Sequence, residues 1–170
     1  KYINLSEASV YVGTYKKYNE GSLFGKWLNL ANYIDEQEFY NACKELHKDE
    51  PSPELMFQDY EEFPEVFYSE SAIDSRLWDW LDFDETDREV IGVWLSENTL
   101  GKYEELQSIV DSFTGRYESW AEYAAEMVGS LGDVPEHLIN YIDYDRMGED
   151  VRICSNGYVE YEGGVWLFEG

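Results

Sequence analysis

The chain is predicted to fold as an α+β protein. Three observations carry that expectation: an alternating aromatic stretch near the start, helix-period apolar stripes through the middle, and a Gly-Gly hairpin signal near the end. Its 170 residues are 44% hydrophobic and 17% aromatic, which is enough to build a core. The same chain has a net charge of −25. Disordered acidic segments are poor in aromatics, so 29 Trp, Tyr and Phe residues mark a folded polyanion. Folding crowds like charges together at a cost in self-repulsion, so the excess asks for a functional reason.

The elements follow in order. Ser9 to Tyr15 (SVYVGTY) alternates apolar and polar side chains as a strand does, and Phe24 to Leu30 can pair with it across a turn at Tyr18 to Ser22. Asp35 to Lys48 reads as a helix. Asp35 caps it, Glu36 and Glu38 occupy its first turn, and Lys44, His47 and Lys48 lie near its end, all in accord with the helix dipole. Phe39, Cys43 and Leu46 form its inner stripe, Pro51 and Pro53 stop it, and Leu55 to Tyr60 returns as a strand. Next come two helices. Ser71 to Leu81 places Ile73, Leu77, Trp80 and Leu81 on one face, and Thr86 with Glu89 forms a capping box before Val90, Ile91, Trp94 and Leu95.

Lys102 to Phe113 and Tyr117 to Leu131 are also expected to be helical, the second burying Trp120, Tyr123, Ala124, Met127, Val128 and Leu131. Pro135 opens a helix with Leu138, Ile139 and Ile142 inward. Tyr158 to Glu162 and Val165 to Glu169 flank a two-residue loop, Gly163-Gly164. This gives three small domains: an antiparallel sheet with a helix (1–60), an acidic helical piece (61–103) and helices with a small antiparallel sheet (104–170). The middle piece is short for an independent core and should lean on its neighbours.

Charge is spread unevenly. Residues 1–60 carry 10 acids against 6 bases, 61–105 carry 14 against 3, and 106–170 carry 13 against 3. With 12 bases in all, binding of DNA or RNA by phosphate neutralisation is not expected. The chain has no run of about 18 apolar residues, and Lys1 to Asn4 opens no apolar leader, so a cytoplasmic protein with reduced Cys43 and Cys154 is expected.

Enzyme templates fail on residues. His47 and His137 are the two histidines and read as ordinary helix residues, and no nucleophile elbow, phosphate loop or zinc helix motif is present. Of two possible calcium loops, the one from Asp82 has Asp87 where glycine is needed and Val93 at the bidentate position. The one from Asp143 ends at Cys154. Carboxylate pairs are so abundant that any one of them carries little signal for glycoside hydrolysis. No catalysis, metal or cofactor is expected.

The charge does match a polyanion. At one charge per about 1.7 Å of duplex axis, 37 carboxylates equal about 63 Å of DNA and the net −25 about 43 Å. Glu118, Glu122 and Glu126 recur every four residues, a rise of about 6 Å on a helix, near the spacing of alternate phosphates on one strand, about 6.8 Å. Such a ridge is otherwise the wet face of an amphipathic helix. No Lys or Arg offsets it between Tyr117 and Asp145.

Several segments together resemble the ArdA antirestriction family. They are Val10-Tyr-Val-Gly-Thr-Tyr15 with Tyr18 to Leu28, Glu38 to His47 with Met56-Phe-Gln-Asp59, and Phe113-Thr-Gly-Arg-Tyr-Glu-Ser-Trp120. The resemblance implies a protein of mobile elements such as conjugative transposons. It would be an elongated homodimer of three domains in series that mimics bent B-form DNA and occupies the DNA-binding site of type I restriction-modification enzymes. The family's antirestriction motif would fall near Glu126 to Asn140. Phosphate-mimicking acids are then expected at Asp79, Asp82, Asp84, Glu85, Asp87, Glu89, Glu97, Glu104, Glu105, Asp111, Glu118, Glu122 and Glu126. Met127, Val128, Leu131 and Val134 would serve either the C-terminal core or the dimer contact. An acidic chaperone for another basic nucleic-acid-binding protein is the alternative that charge alone allows.

Overall fold

Ser9–Thr14 (β1) forms the centre of a three-stranded antiparallel sheet in the computed structural model, which describes residues 7–169. Lys1 to Asn4, read above for a leader, lies outside the described residues. Lys26–Asn29 (β2) and Leu55–Glu61 (β3) flank β1, with Val10 opposite Leu28 on one side and Tyr60 on the other. The alternation puts Val10 and Val12 at full burial. The expected turn after β1 contains a short helix, Tyr15–Asn19 (α1), because Thr14 caps it by accepting from Lys17 N.

Glu36–Leu46 (α2) starts where predicted, with Asp35 Oδ1 accepting from Glu38 N at 2.8 Å. Phe39 is the hub of the aromatic core. Its ring stacks on Phe57 at 5.9 Å and meets Trp78 at 5.5 Å. His47 is no ordinary helix residue. It caps α2 at full burial, with Nε2 3.1 Å from the Val12 carbonyl and Nδ1 3.1 Å from Lys17 Nζ. A carbonyl can only accept and an ammonium can only donate, so Nε2 carries the proton and Nδ1 accepts.

Arg76–Asp82 (α3) begins later than predicted. Ile73 pairs with Tyr68 in an isolated bridge and donates its N–H to the Tyr40 hydroxyl, which keeps residues 71–75 out of the helix. In Glu85–Glu97 (α4) the cap is Asp84, whose Oδ1 accepts from Asp87 N at 2.9 Å. The helix therefore already includes Thr86, and the expected Thr86–Glu89 box does not form. Residues 61–103 lean on the sheet as expected: Trp78 packs on Phe39, and the Tyr60 and Tyr68 rings stack at 4.4 Å.

The chain divides after Leu106 into two compact units. Leu106–Ser112 (α5) spans the division and ends early, because Phe113–Tyr117 (β4) is a strand. In the second unit β4, Gly164–Phe168 (β6) and Tyr158–Tyr161 (β5) form an antiparallel sheet in the order β4-β6-β5. Tyr161 pairs with Gly164, so the hairpin loop is Glu162-Gly163, one residue earlier than predicted. Both loop residues have positive φ, 48° and 81°. All five residues of the central strand β6 are buried, whereas Thr114 and Arg116 of β4 and Glu160 of β5 stay exposed.

Trp120–Leu131 (α6) is capped by Ser119, which leaves Glu118 outside the helix. Glu136–Ile139 (α7) is a single turn with Pro135 as its cap, too short to carry an apolar face, and Leu138 is 46% exposed rather than inward. Tyr144–Cys154 (α8) has no counterpart in the sequence reading. It packs on α6 through Gly148, where a Cβ would lie 2.7 Å from the Trp120 carbonyl oxygen. Among the described residues both cysteines are free. Burial pushes the Cys43 thiol up to about 12, while Cys154 is exposed.

Candidate partner-binding surface

In the first unit the acids cluster on and around two short helices. Asp79 and Asp82 project from α3, and Glu85 and Glu89 from α4, all four exposed. Asp84 and Glu85 follow the turn that joins the helices, and Glu85 and Asp87 fill the first turn of α4, where the positive end of the dipole tolerates them. Asp84 is exposed and Asp87 half-buried. Arg88 is buried within this acidic stretch, and its Nη1 donates to the Phe83 carbonyl. It ties α4 to the connection and sets one positive charge among six acids.

Arg76 performs the companion task. Its guanidinium grips Asp74 through two bonds of 3.0 and 2.7 Å, which holds that carboxyl below its usual range. The remaining nitrogen donates to the carbonyls of Gly101 (2.7 Å) and Glu104 (3.1 Å), so the 101–105 loop is fastened to α3. Glu104 is half-buried and accepts from Gly101 N, while Glu97 and Glu105 are exposed. Sequence reasoning counted these arginines only as bases. The signal was their rarity, three bases among 14 acids in residues 61–105.

In the second unit Asp111, Glu118, Glu122 and Glu126 are all exposed. Asp111 accepts from Gln107 at 2.9 Å. The ridge on α6 is shorter than predicted: Glu122 and Glu126 share the helix, whereas Glu118 precedes its cap. Ser119 Oγ accepts from Glu122 N at 3.1 Å, and Glu122 Oε2 accepts from Glu118 N at 2.6 Å, a cap that fixes the Glu122 carboxylate. Of the apolar set, Val128 is buried, Met127 and Val134 are half-buried, and Leu131 is 62% exposed just before Gly132 ends the helix in the left-handed region.

The ion pairs of Lys17, Lys48, Arg76 and Arg152 take Asp49, Glu50, Glu45, Asp74 and Glu149, none of which is in the predicted set. Among the described residues no group of three His, Cys, Asp or Glu side chains is placed to hold a metal, and no helix is long and apolar enough to cross a membrane.

Fold and surface together define an acidic α+β protein with exposed carboxylates on α3, α4 and α6. The sequence model of the antirestriction protein (ArdA) family matches residues 10–166, and the chain belongs to that family. Comparison with curated proteins returns no match.

Proposed function

We propose that this antirestriction protein works by occupying the DNA-binding groove of type I restriction-modification enzymes as a mimic of bent B-form DNA. The observation that carries the reading is the placement of paired acids one helical turn apart, Glu85 with Glu89 and Glu122 with Glu126, on exposed faces. The rise between such pairs, about 6 Å, approaches the spacing of alternate phosphates, about 6.8 Å. Asp and Glu side chains then meet the Arg and Lys that would hold the DNA backbone. Backbone contacts carry no sequence information, so one protein serves against enzymes with different recognition sites. On this reading the protein acts in the bacterial cytoplasm as a homodimer of three-domain chains (1–60, 61–103, 104–170), joined through the C-terminal domain near Leu131. It takes part in no catalysis.

The test is displacement of a labelled duplex from a purified type I methyltransferase core. The protein should displace the duplex, and excess duplex should restore DNA binding. Inhibition that excess duplex does not reverse would overturn the mechanism.

A further inference from the structure

The second unit contains a cleft of about 350 Å³ walled by Tyr117, Tyr123, Asn156 and Glu169. It lies at the small end of the range for ligand sites. Its aromatic wall is pre-formed. The Tyr117 ring lies back over Gly115, where a Cβ would come within 3.2 Å of it, and packs against Tyr123 at a centroid distance of 4.8 Å. Tyr123 is held in turn by Trp120 at 6.2 Å.

The electrostatics have one sign. None of the lining residues is basic, and Glu169 lines the cleft from an exposed position. Glu126 and Glu122 act on the Tyr117 phenol from α6. Burial first, and then these carboxylates, push that phenol above its ordinary value. An anionic ligand is therefore repelled. Two tyrosine rings, a carboxylate and an asparagine amide in the lining suit a flat cation that packs on aromatic groups and donates hydrogen bonds at the same time, and guanidinium meets that description better than a compact, strongly hydrated ammonium.

We infer that the cleft formed by Tyr117, Tyr123, Asn156 and Glu169 receives an arginine side chain of the basic partner. The inference rests on the proposed function and deepens it. The carboxylate field supplies attraction without register, whereas one seated guanidinium fixes where the second unit lies on the partner.

Two measurements on the full chain test it. The first is titration of ¹⁵N-labelled protein with N-acetylarginine methylamide, its lysine analogue and its uncharged citrulline analogue. Arginine should shift the amides of Tyr117, Tyr123, Asn156 and Glu169, lysine should shift them less, and citrulline should leave them in place. An equal response to citrulline, or no response at the cleft, overturns the inference. The second is affinity for a methyltransferase core. Tyr123→Leu, which keeps apolar bulk, and Glu169→Gln, which leaves the core untouched should the first variant unfold, should each weaken binding about 3- to 10-fold. Unchanged affinity in a folded Glu169→Gln variant counts against the cleft while leaving the groove-occupancy reading intact. Arginine binding at the cleft by a protein that displaces no duplex from the core would separate the two in the other direction.

Discussion

The acids gathered around Lys17 and those exposed on the helices beyond residue 60 differ in what they face. At the end of α2, Glu50 is 7% exposed, accepts from the Thr14 hydroxyl at 2.7 Å and lies 3.1 Å from Lys17 Nζ, which also reaches Asp49 at 2.8 Å and His47. These carboxylates hold the fold together. On α3, α4 and α6, by contrast, Asp79, Asp82, Glu85, Glu89, Glu122 and Glu126 point to solvent. Similar side chains thus lie in two environments, and net charge alone does not separate them. The difference lies in which acids have a cation brought to them by tertiary structure.

The largest expected effect comes from removing the outward set. A combined Asp79→Asn, Asp82→Asn, Glu85→Gln, Glu89→Gln variant should lose affinity for a methyltransferase core by about 4- to 1,000-fold, at about 0.2–1 kcal/mol per exposed charge contact. Its urea midpoint should hold or rise, since self-repulsion falls.

Lys17→Met inverts that pattern. It leaves Glu50 buried without its cation and His47 Nδ1 without a donor, and should lower stability by about 1–3 kcal/mol in urea unfolding. Inhibition by the folded fraction should not change.

The pH dependence sharpens the contrast. Lys17 holds the Asp49 carboxyl below its usual range, and the Thr14 hydroxyl, then Lys17, do the same for Glu50. Folded values below the unfolded ones, near 4, mean that this stabilisation is complete above that range. It is lost as pH falls through the folded values. Wild-type urea midpoints should therefore drop below about pH 4.5, and Lys17→Met should lose less over the same window. The smallest effect is that of one outward acid: Glu122→Gln keeps an acceptor for Glu118 N, so stability should stay within about 0.5 kcal/mol and affinity should fall about 2-fold.

The sequence made much of the first unit legible, because its signals are local. Asp35, Phe39 and Cys43 announce α2, and the alternation of Val10 and Val12 announces β1. What escaped depends on distant partners. Phe113–Tyr117 contains a glycine and follows a helical pattern without a break, and it is a strand because β6, some fifty residues on, pairs with it. Helix α8 carries Gly148, which weakens an isolated helix by about 1 kcal/mol yet lets the α6 backbone come close. The candidate surface was legible as a list of acids. Its pairing was legible in part: Glu122 and Glu126 share α6 as read, whereas Glu118 left the helix once Ser119 became its cap. The tyrosine cleft was hidden for the same reason as β4, whose Tyr117 forms one wall.

The account turns on whether the acids beyond residue 60 are the ones a partner reads. The most direct measurement is the salt dependence of binding to a methyltransferase core, compared between the four-acid α3–α4 variant and a control with equal charge loss at exposed sites, Glu7→Gln, Glu20→Gln, Glu36→Gln, Glu54→Gln. The account predicts that log K falls with log salt for the wild type and the control alike, and that the slope flattens only in the α3–α4 variant. Equal flattening in both variants, or a binding constant insensitive to salt in the wild type, would contradict it.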